Sequence, residues 1–449
     1  MPDYVDRIAS YVSQTSFQDL PVEVVLRAKE VLADTLAVIA AGAQEREVKK
    51  LRDRLIAQGG RRVATMIGTG MRSEPGKAAL FNGTAGTFLE LDEGNQFGRG
   101  HPGIHIIPAA LAAAEEKHLS GHDLVTALVL GYEIGTRIGI ACKIRMSMHP
   151  HGTWGTVGAA VAVGKLMGYE EPLMKEMINV SSSLGLATSR RTMLEGGTVR
   201  NVYAGVSGYM GVLAHDLVQS GFTGEADGLK TVYGSVVSDT FNSEAMTEEL
   251  GKRFEITRNY FKMHACCRYN HGTLDALGHI VDKRPVKPEE IARVDVETYS
   301  LAAQLCDQNP QNMLAAKFSI PFAVATFLVH GHGGVACFKP EAVQDPVIRA
   351  LARKVEVSED PQLTAMMPSR RPSRVRLTLR SGEKLEAQVF MNRGDFEDPY
   401  PFEELTRKYY ELADVAWGHE RAEEIHRSVM SLEKVEDVNE ITRLIAPMA

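Results

Sequence analysis

Apolar residues recur at helical spacing through most of the chain. Val24, Leu26, Val31, Leu32, Leu36 and Ile39 form one apolar face that follows Pro21, a residue suited to a helix start, and ends at Gly42. Glu45 to Ala57 reads as a charged amphipathic helix stopped by Gly59-Gly60. Lys77 to Leu91 and Ile104 to Glu116 carry Ala and Leu at the same period. Further helices are predicted over 121–141, 153–168, 171–187 and 202–220, rich in Ala and Gly, which permits close helix packing. Arg62 to Gly68 is the one convincing strand before residue 225. Strands and helices do not alternate, which excludes a Rossmann or barrel fold. Gly68-Thr-Gly70 lacks the third glycine and the helix start of a dinucleotide fingerprint, and no Walker A sequence occurs.

The pattern changes near Lys262. After the break at Pro285 to Pro288, Arg293 to Tyr299 alternates like a strand, and so does Arg374 to Arg380, with a hairpin turn leading into Leu385 to Phe390. Val355 to Val357 is a further short strand. Asn312 to Val329 is predicted as one helix, and Pro346 to Lys354 as another capped by Asp345. From 402 to 446 the amphipathic helical pattern returns. The expectation is a mainly α protein: a large all-helical domain in two parts, 1–260 and 394–449, with a smaller α+β domain inserted at 261–393. An insertion hinged at two crossings is a natural lid.

Composition narrows the function. The 449 residues are 44% hydrophobic and 24% charged, ordinary for a globular protein with a large core. A net charge of −7 without a dense Lys/Arg run argues against nucleic-acid or membrane-surface binding. No hydrophobic run reads as long and clean enough to span a bilayer, and no signal peptide is evident, so a cytoplasmic location is expected. The five cysteines form no C-x-x-C pair, so neither a zinc ribbon nor a disulfide framework is indicated.

The densest chemistry lies in Glu90-Leu-Asp-Glu-Gly-Asn-Gln-Phe-Gly-Arg-Gly-His-Pro-Gly103, between two predicted helices. Glycines there let the backbone approach a ligand, with Asp92 and His101 at either end; a capped helix followed by a solvated turn accounts for the same residues. His149-Pro-His-Gly-Thr-Trp-Gly155 puts His149 and His151 before a helix whose N-terminus suits an anion. Arg190-Arg191 and Arg200 flank a glycine-rich loop suited to carboxylate binding. Lys262-Met-His-Ala-Cys-Cys-Arg-Tyr-Asn-His271 gathers a lysine, two histidines, an arginine and a tyrosine beside the hinge. Asp92, His101, His149 and His151 have the right chemistry for zinc or iron, but the H-x-H pair lies outside helical ligand spacing. The same residues suit metal-free acid–base work on a small polycarboxylate.

Seven blocks then appear in one order: Leu32-Ala-Asp-Thr-Leu36, Ala79-Leu-Phe-Asn-Gly-Thr-Ala85, Gly100-His-Pro-Gly103, the His149 block, the Lys262 block, Lys317-Phe-Ser-Ile-Pro321 and Arg393-Gly-Asp-Phe-Glu-Asp-Pro399. Together they resemble the MmgE/PrpD family, which includes 2-methylcitrate dehydratase, cis-aconitate decarboxylase and iminodisuccinate epimerase. The resemblance implies a helical domain with an inserted lid and a homodimer; charged side chains where a metal would sit lead to the expectation of no cofactor and no metal. It implies that His101, His149 and Lys262 are catalytic, with Asp92 as counterpart of an active-site aspartate and Glu90 as its alternative. Arg200 falls where decarboxylase members carry a lysine, and His151 replaces a residue that is often threonine. The acidic loop is one residue longer than the family pattern, so the substrate does not transfer with the fold.

The expected activity is a metal-free lyase of a small di- or tricarboxylate, dehydrating or hydrating a citrate-like hydroxy acid. Asp92, His101, His149, His151 and Lys262 are the expected catalytic set; Glu90, Gln96, Arg200, Arg268, Tyr269 and His271 are expected to bind substrate. An epimerase or a decarboxylase in the same pocket is the alternative. Lys262 stands where one domain hands over to the next, so its ammonium is expected to meet a substrate carboxylate on closure, and its loss to leave folding intact.

Overall fold

The computed structural model describes residues 3–446, of which the helices Val22–Gly42, Pro75–Phe88, Pro102–Lys117, Gly121–Ala141, Trp154–Leu166 and Tyr203–Gln219 build the centre. Helices account for 59% of the chain, against about a third in an average globular protein, so the fold is mainly α. In Trp154–Leu166 every residue but Lys165 is buried, the mark of a helix enclosed by others. Small residues set the spacing. Gly83 faces Gly205 so closely that a Cβ on Gly83 would lie 2.6 Å from the Gly205 Cα. Gly121–Ala141 meets the length and hydropathy of a membrane span, contrary to expectation, yet 94% of its apolar window is buried by protein.

A four-stranded sheet follows, ordered Lys384–Val389, Ser373–Leu379, Ile291–Thr298, Val355–Glu359. Its last pair is parallel and the others antiparallel. Ser373–Leu379 alternates buried and half-buried residues, as a strand with one packed face must. Helix Arg268–Lys283 packs on two of the strands and against helix Ile320–His330. The chain then returns to the helical part: Phe402–Trp417 lies along Val22–Gly42, joined by a buried ion pair of 2.6 Å between Lys408 and Asp34.

The continuous helix expected over Asn312 to Val329 is two, Met313–Lys317 and Ile320–His330. Pro321 cannot donate to the carbonyl four residues earlier. That carbonyl, on Lys317, instead accepts from the Cys267 amide at 2.9 Å and from Asn270 Nδ2 at 3.0 Å. Ser319 caps the second helix by accepting the Phe322 amide. Asp345 caps Pro346–Ala352 as its sequence context indicates.

Candidate active site

Helix Pro75–Phe88 ends at a carbonyl, Phe88 O, that accepts from buried Lys317 Nζ at 2.7 Å. The chain turns through Glu90 with φ at 57°, and the acidic run goes inward: Glu90, Asp92 and Glu93 are at most 1% exposed. A solvated turn is thereby excluded. Beyond it, the Asn95 carboxamide oxygen accepts from the Phe97 and Gly98 amides, and Asn95 pairs with Gly100 across the loop. Gly94–Asn95 also pairs antiparallel with Asn259–Tyr260, a contact no local pattern signalled. That pairing brings Lys262 beneath the acidic residues.

Two opposed pairs of charges result. Arg200 Nη1 binds Glu90 Oε1, while Lys262 Nζ lies 3.6 Å from Glu90 Oε2 and 4.0 Å from Asp92 Oδ1. Burial opposes the charge on Asp92, but His101 first, then Lys262 and Arg200, hold its pKa well below the usual carboxylate range. His101 occupies the N-cap position of helix Pro102–Lys117, with its side chain turned away from the helix amides. Its Nδ1–H points at the Asp92 carbonyl oxygen, 3.1 Å away, with an Asp92 carboxylate oxygen 2.9 Å to the side. Nε2 is left free for chemistry. Below it, His105 donates from Nδ1 to the His101 carbonyl at 2.7 Å and accepts the Gly152 amide at Nε2, 3.3 Å. Both nitrogens are used, and burial lowers its pKa to about 4, so His105 is a neutral prop.

His151 stands among three rings, its centroid 4.8 Å from His101, 4.9 Å from His149 and 5.0 Å from His105. Burial, with Arg200 next, pushes His149 and His151 well below the ordinary histidine pKa, which keeps both neutral. The His151 amide donates to His149 Nδ1 at 3.1 Å. Arg200 Nε faces the other nitrogen, Nε2, at 3.4 Å, so donors approach the His149 ring from both sides. Glu93 is engaged elsewhere: it accepts from the Gly103 amide, Tyr132 and Asn259, and burial raises its pKa to about 8.

These groups surround a cavity of about 80 Å³, lined by Glu90, His101, His149, His151 and Arg200 from the helical part and by Arg268, Tyr269 and Arg371 from the sheet-bearing part. The space is small and its wall carries several arginines and histidines, which suits a small anion. Among the described residues, no group of three or more His, Cys, Asp or Glu converges as metal ligands would.

Two family models cover most of the chain: the MmgE/PrpD N-terminal domain matches residues 6–245 and the MmgE/PrpD C-terminal domain matches 264–434. The chain belongs to the MmgE/PrpD family. Among its relatives, the cis-aconitate decarboxylase-like protein oryM of Aspergillus oryzae is 25% identical over 477 residues, covering 98% of this chain and 96% of its own. The cis-aconitate decarboxylase of Aspergillus terreus is 24% identical, covering 98% and 95%. That of Homo sapiens is 23% identical, covering 84% and 80%.

In this MmgE/PrpD chain the expected site residues take three positions. Glu90, His101, His149, His151, Arg200, Arg268 and Tyr269 line the cavity. Asp92 and Lys262, 1% and 0% exposed, stand behind that wall, so Lys262 meets the two carboxylates and not the cavity itself. Gln96 and His271 do not line it. Gln96 contributes its carbonyl, which accepts from Arg371 Nη2 at 3.2 Å. His271 accepts from Arg268 Nη1 at 3.0 Å and faces the Cys266 carbonyl with its other nitrogen, so it orients Arg268. Tyr260, Arg371 and His105 were not singled out from sequence. Arg371 belongs to a dibasic pair before a strand, a pattern that ordinarily means solvent.

Proposed function

We propose that this protein is a metal-free lyase that acts on a small di- or tricarboxylate by acid–base chemistry, with water removed from or added to a citrate-like hydroxy acid. The reading rests on one observation: a histidine whose Nδ1–H is held by an aspartate, with Nε2 free, on the wall of a cavity rich in cations. His101 Nε2 takes the proton α to a carboxylate. The charge of Asp92, 2.9 Å from Nδ1, stabilises the imidazolium that forms. Negative charge then develops on the substrate carboxylate, and a buried guanidinium such as Arg200 or Arg268 opposes it; each well-placed donor contributes about 3 kcal/mol. His149, on the cavity wall beside Arg200, assists departure of the β-hydroxyl. Lys262 acts through Glu90 and Asp92, fixing both carboxylates. The sheet-bearing part, which supplies Arg268, Tyr269 and Arg371, serves as the lid.

Decarboxylation is the second reading, favoured by the cis-aconitate decarboxylase and decarboxylase-like relatives. Epimerisation needs the same first step with return of the proton to the other face. Incubation with citrate-like hydroxy acids, unsaturated tricarboxylates and amino dicarboxylates, followed by proton and carbon NMR, distinguishes the three. Loss or gain of water supports the proposal, release of carbon dioxide replaces it with the second reading, and turnover of none of them overturns both.

A further inference from the structure

Charge accounting at the cavity leaves a remainder. Glu90 and Asp92 are answered by Arg200 and Lys262, and Asp395 is answered by Arg268 at 2.6 Å. Arg190 and Arg371 also line the cavity, and neither is ion-paired among the described residues. They come from opposite sides. Arg190 stands in the loop before the short helix Arg191–Leu194 of the helical part, and Arg371 leads into strand Ser373–Leu379. Each guanidinium lies 5.8 Å from the centroid of the Tyr269 ring. Arg371 is only 6% exposed, and its Nε has no hydrogen-bond partner; Nε and Nη2 of Arg190 are likewise buried and unpartnered. Unmet guanidinium donors at a buried site are costly unless an anion joins them.

We infer that Arg190 and Arg371 form a subsite for a further substrate carboxylate, set beside Tyr269 and bridging the two sides of the cleft. This rests on the proposed polycarboxylate reading and adds to it a length requirement: one carboxylate sits near Arg200 and His101, and another reaches Tyr269. A planar fork on each side suits a carboxylate held in two directions, which a lysine's point charge does not reproduce. The closed position of the sheet-bearing part is then favoured by any acid that touches both arginines.

Isothermal titration with propane-1,2,3-tricarboxylate and with malonate, whose two carboxylates are too close together to meet both ends of the proposed site, on wild type, Arg190→Gln, Arg371→Gln and Arg371→Lys, tests this. Each Gln variant should weaken tricarboxylate binding more than tenfold and bring the ratio of the two dissociation constants towards one, with Arg371→Lys in between. Arg190 is partly exposed and decides the matter if the buried Arg371 variants do not fold. Equal losses for both acids, or no loss, overturn the subsite and leave the proposed reaction standing. Wild-type protein that binds neither acid overturns both.

Discussion

Replacing Asp92 with Asn keeps the shape of the site and removes one charge. The Asp92 carbonyl also holds the His101 Nδ1–H, at 3.1 Å, so the tautomer and ring orientation should survive. The loss is then electrostatic. A carboxylate oxygen 2.9 Å from Nδ1, at an effective dielectric of about 20, favours the imidazolium by roughly 6 kcal/mol at most. Lys262 at 4.0 Å from Asp92 offsets part of that. A remaining effect of about 3–6 kcal/mol corresponds to a drop of roughly 10²–10⁴ in kcat/KM, carried mainly by kcat because the imidazolium exists only as the proton moves. Steady-state rates on the best substrate from the panel measure it, with thermal melting to confirm that the variant is folded. A loss of less than about tenfold in a folded variant refutes the assignment of His101 as the base assisted by Asp92.

Lys262→Met should lower stability by about 3–5 kcal/mol, because it strips a fully buried cation from two buried carboxylates; a urea midpoint equal to wild type contradicts this and restores the expectation that loss of Lys262 leaves folding intact. Glu93, pushed by burial to about 8, has a folded-state pKa above its unfolded value, so its contribution is fully present below about pH 4.5 and is lost as pH rises through about 8. Denaturation at about pH 5 and about pH 8.5 should show a smaller fall for Glu93→Gln than for wild type, and equal falls count against that burial. A homodimer is expected from the family resemblance, and sedimentation that finds a monomer at micromolar concentration removes it.

Helical periodicity carried most of the fold, because enclosed helices must be apolar and their close crossings need small residues such as Gly83 and Gly205. Local chemistry also read true where it was self-contained, as at the Asp345 cap. The helix break at Ser319 was legible only in hindsight: Pro321 frees a carbonyl whose partners, Cys267 and Asn270, lie far away in the chain. At the site, residue types pointed to the right stretches but not to depth. Glu90, Asp92 and Lys262 look solvated in sequence, and they are buried because each answers another across long separations. Arg371 had no signal of its own, since its cavity-facing position depends on Tyr269 and the Gln96 carbonyl. Gln96 and His271 show the converse: plausible ligands by type, yet the His271 ring holds Arg268 and Gln96 meets Arg371 with its backbone carbonyl.

The proton transfer at His101 is tested most directly by deuterium exchange. Propane-1,2,3-tricarboxylate has no hydroxyl to lose, so incubating it in D₂O isolates removal and return of the α-proton from everything that follows. Wild-type protein should place deuterium on one face of one α-carbon, and His101→Gln should slow that incorporation by at least about 10³ while still binding the acid. Exchange at the wild-type rate in His101→Gln, with binding intact, contradicts the account.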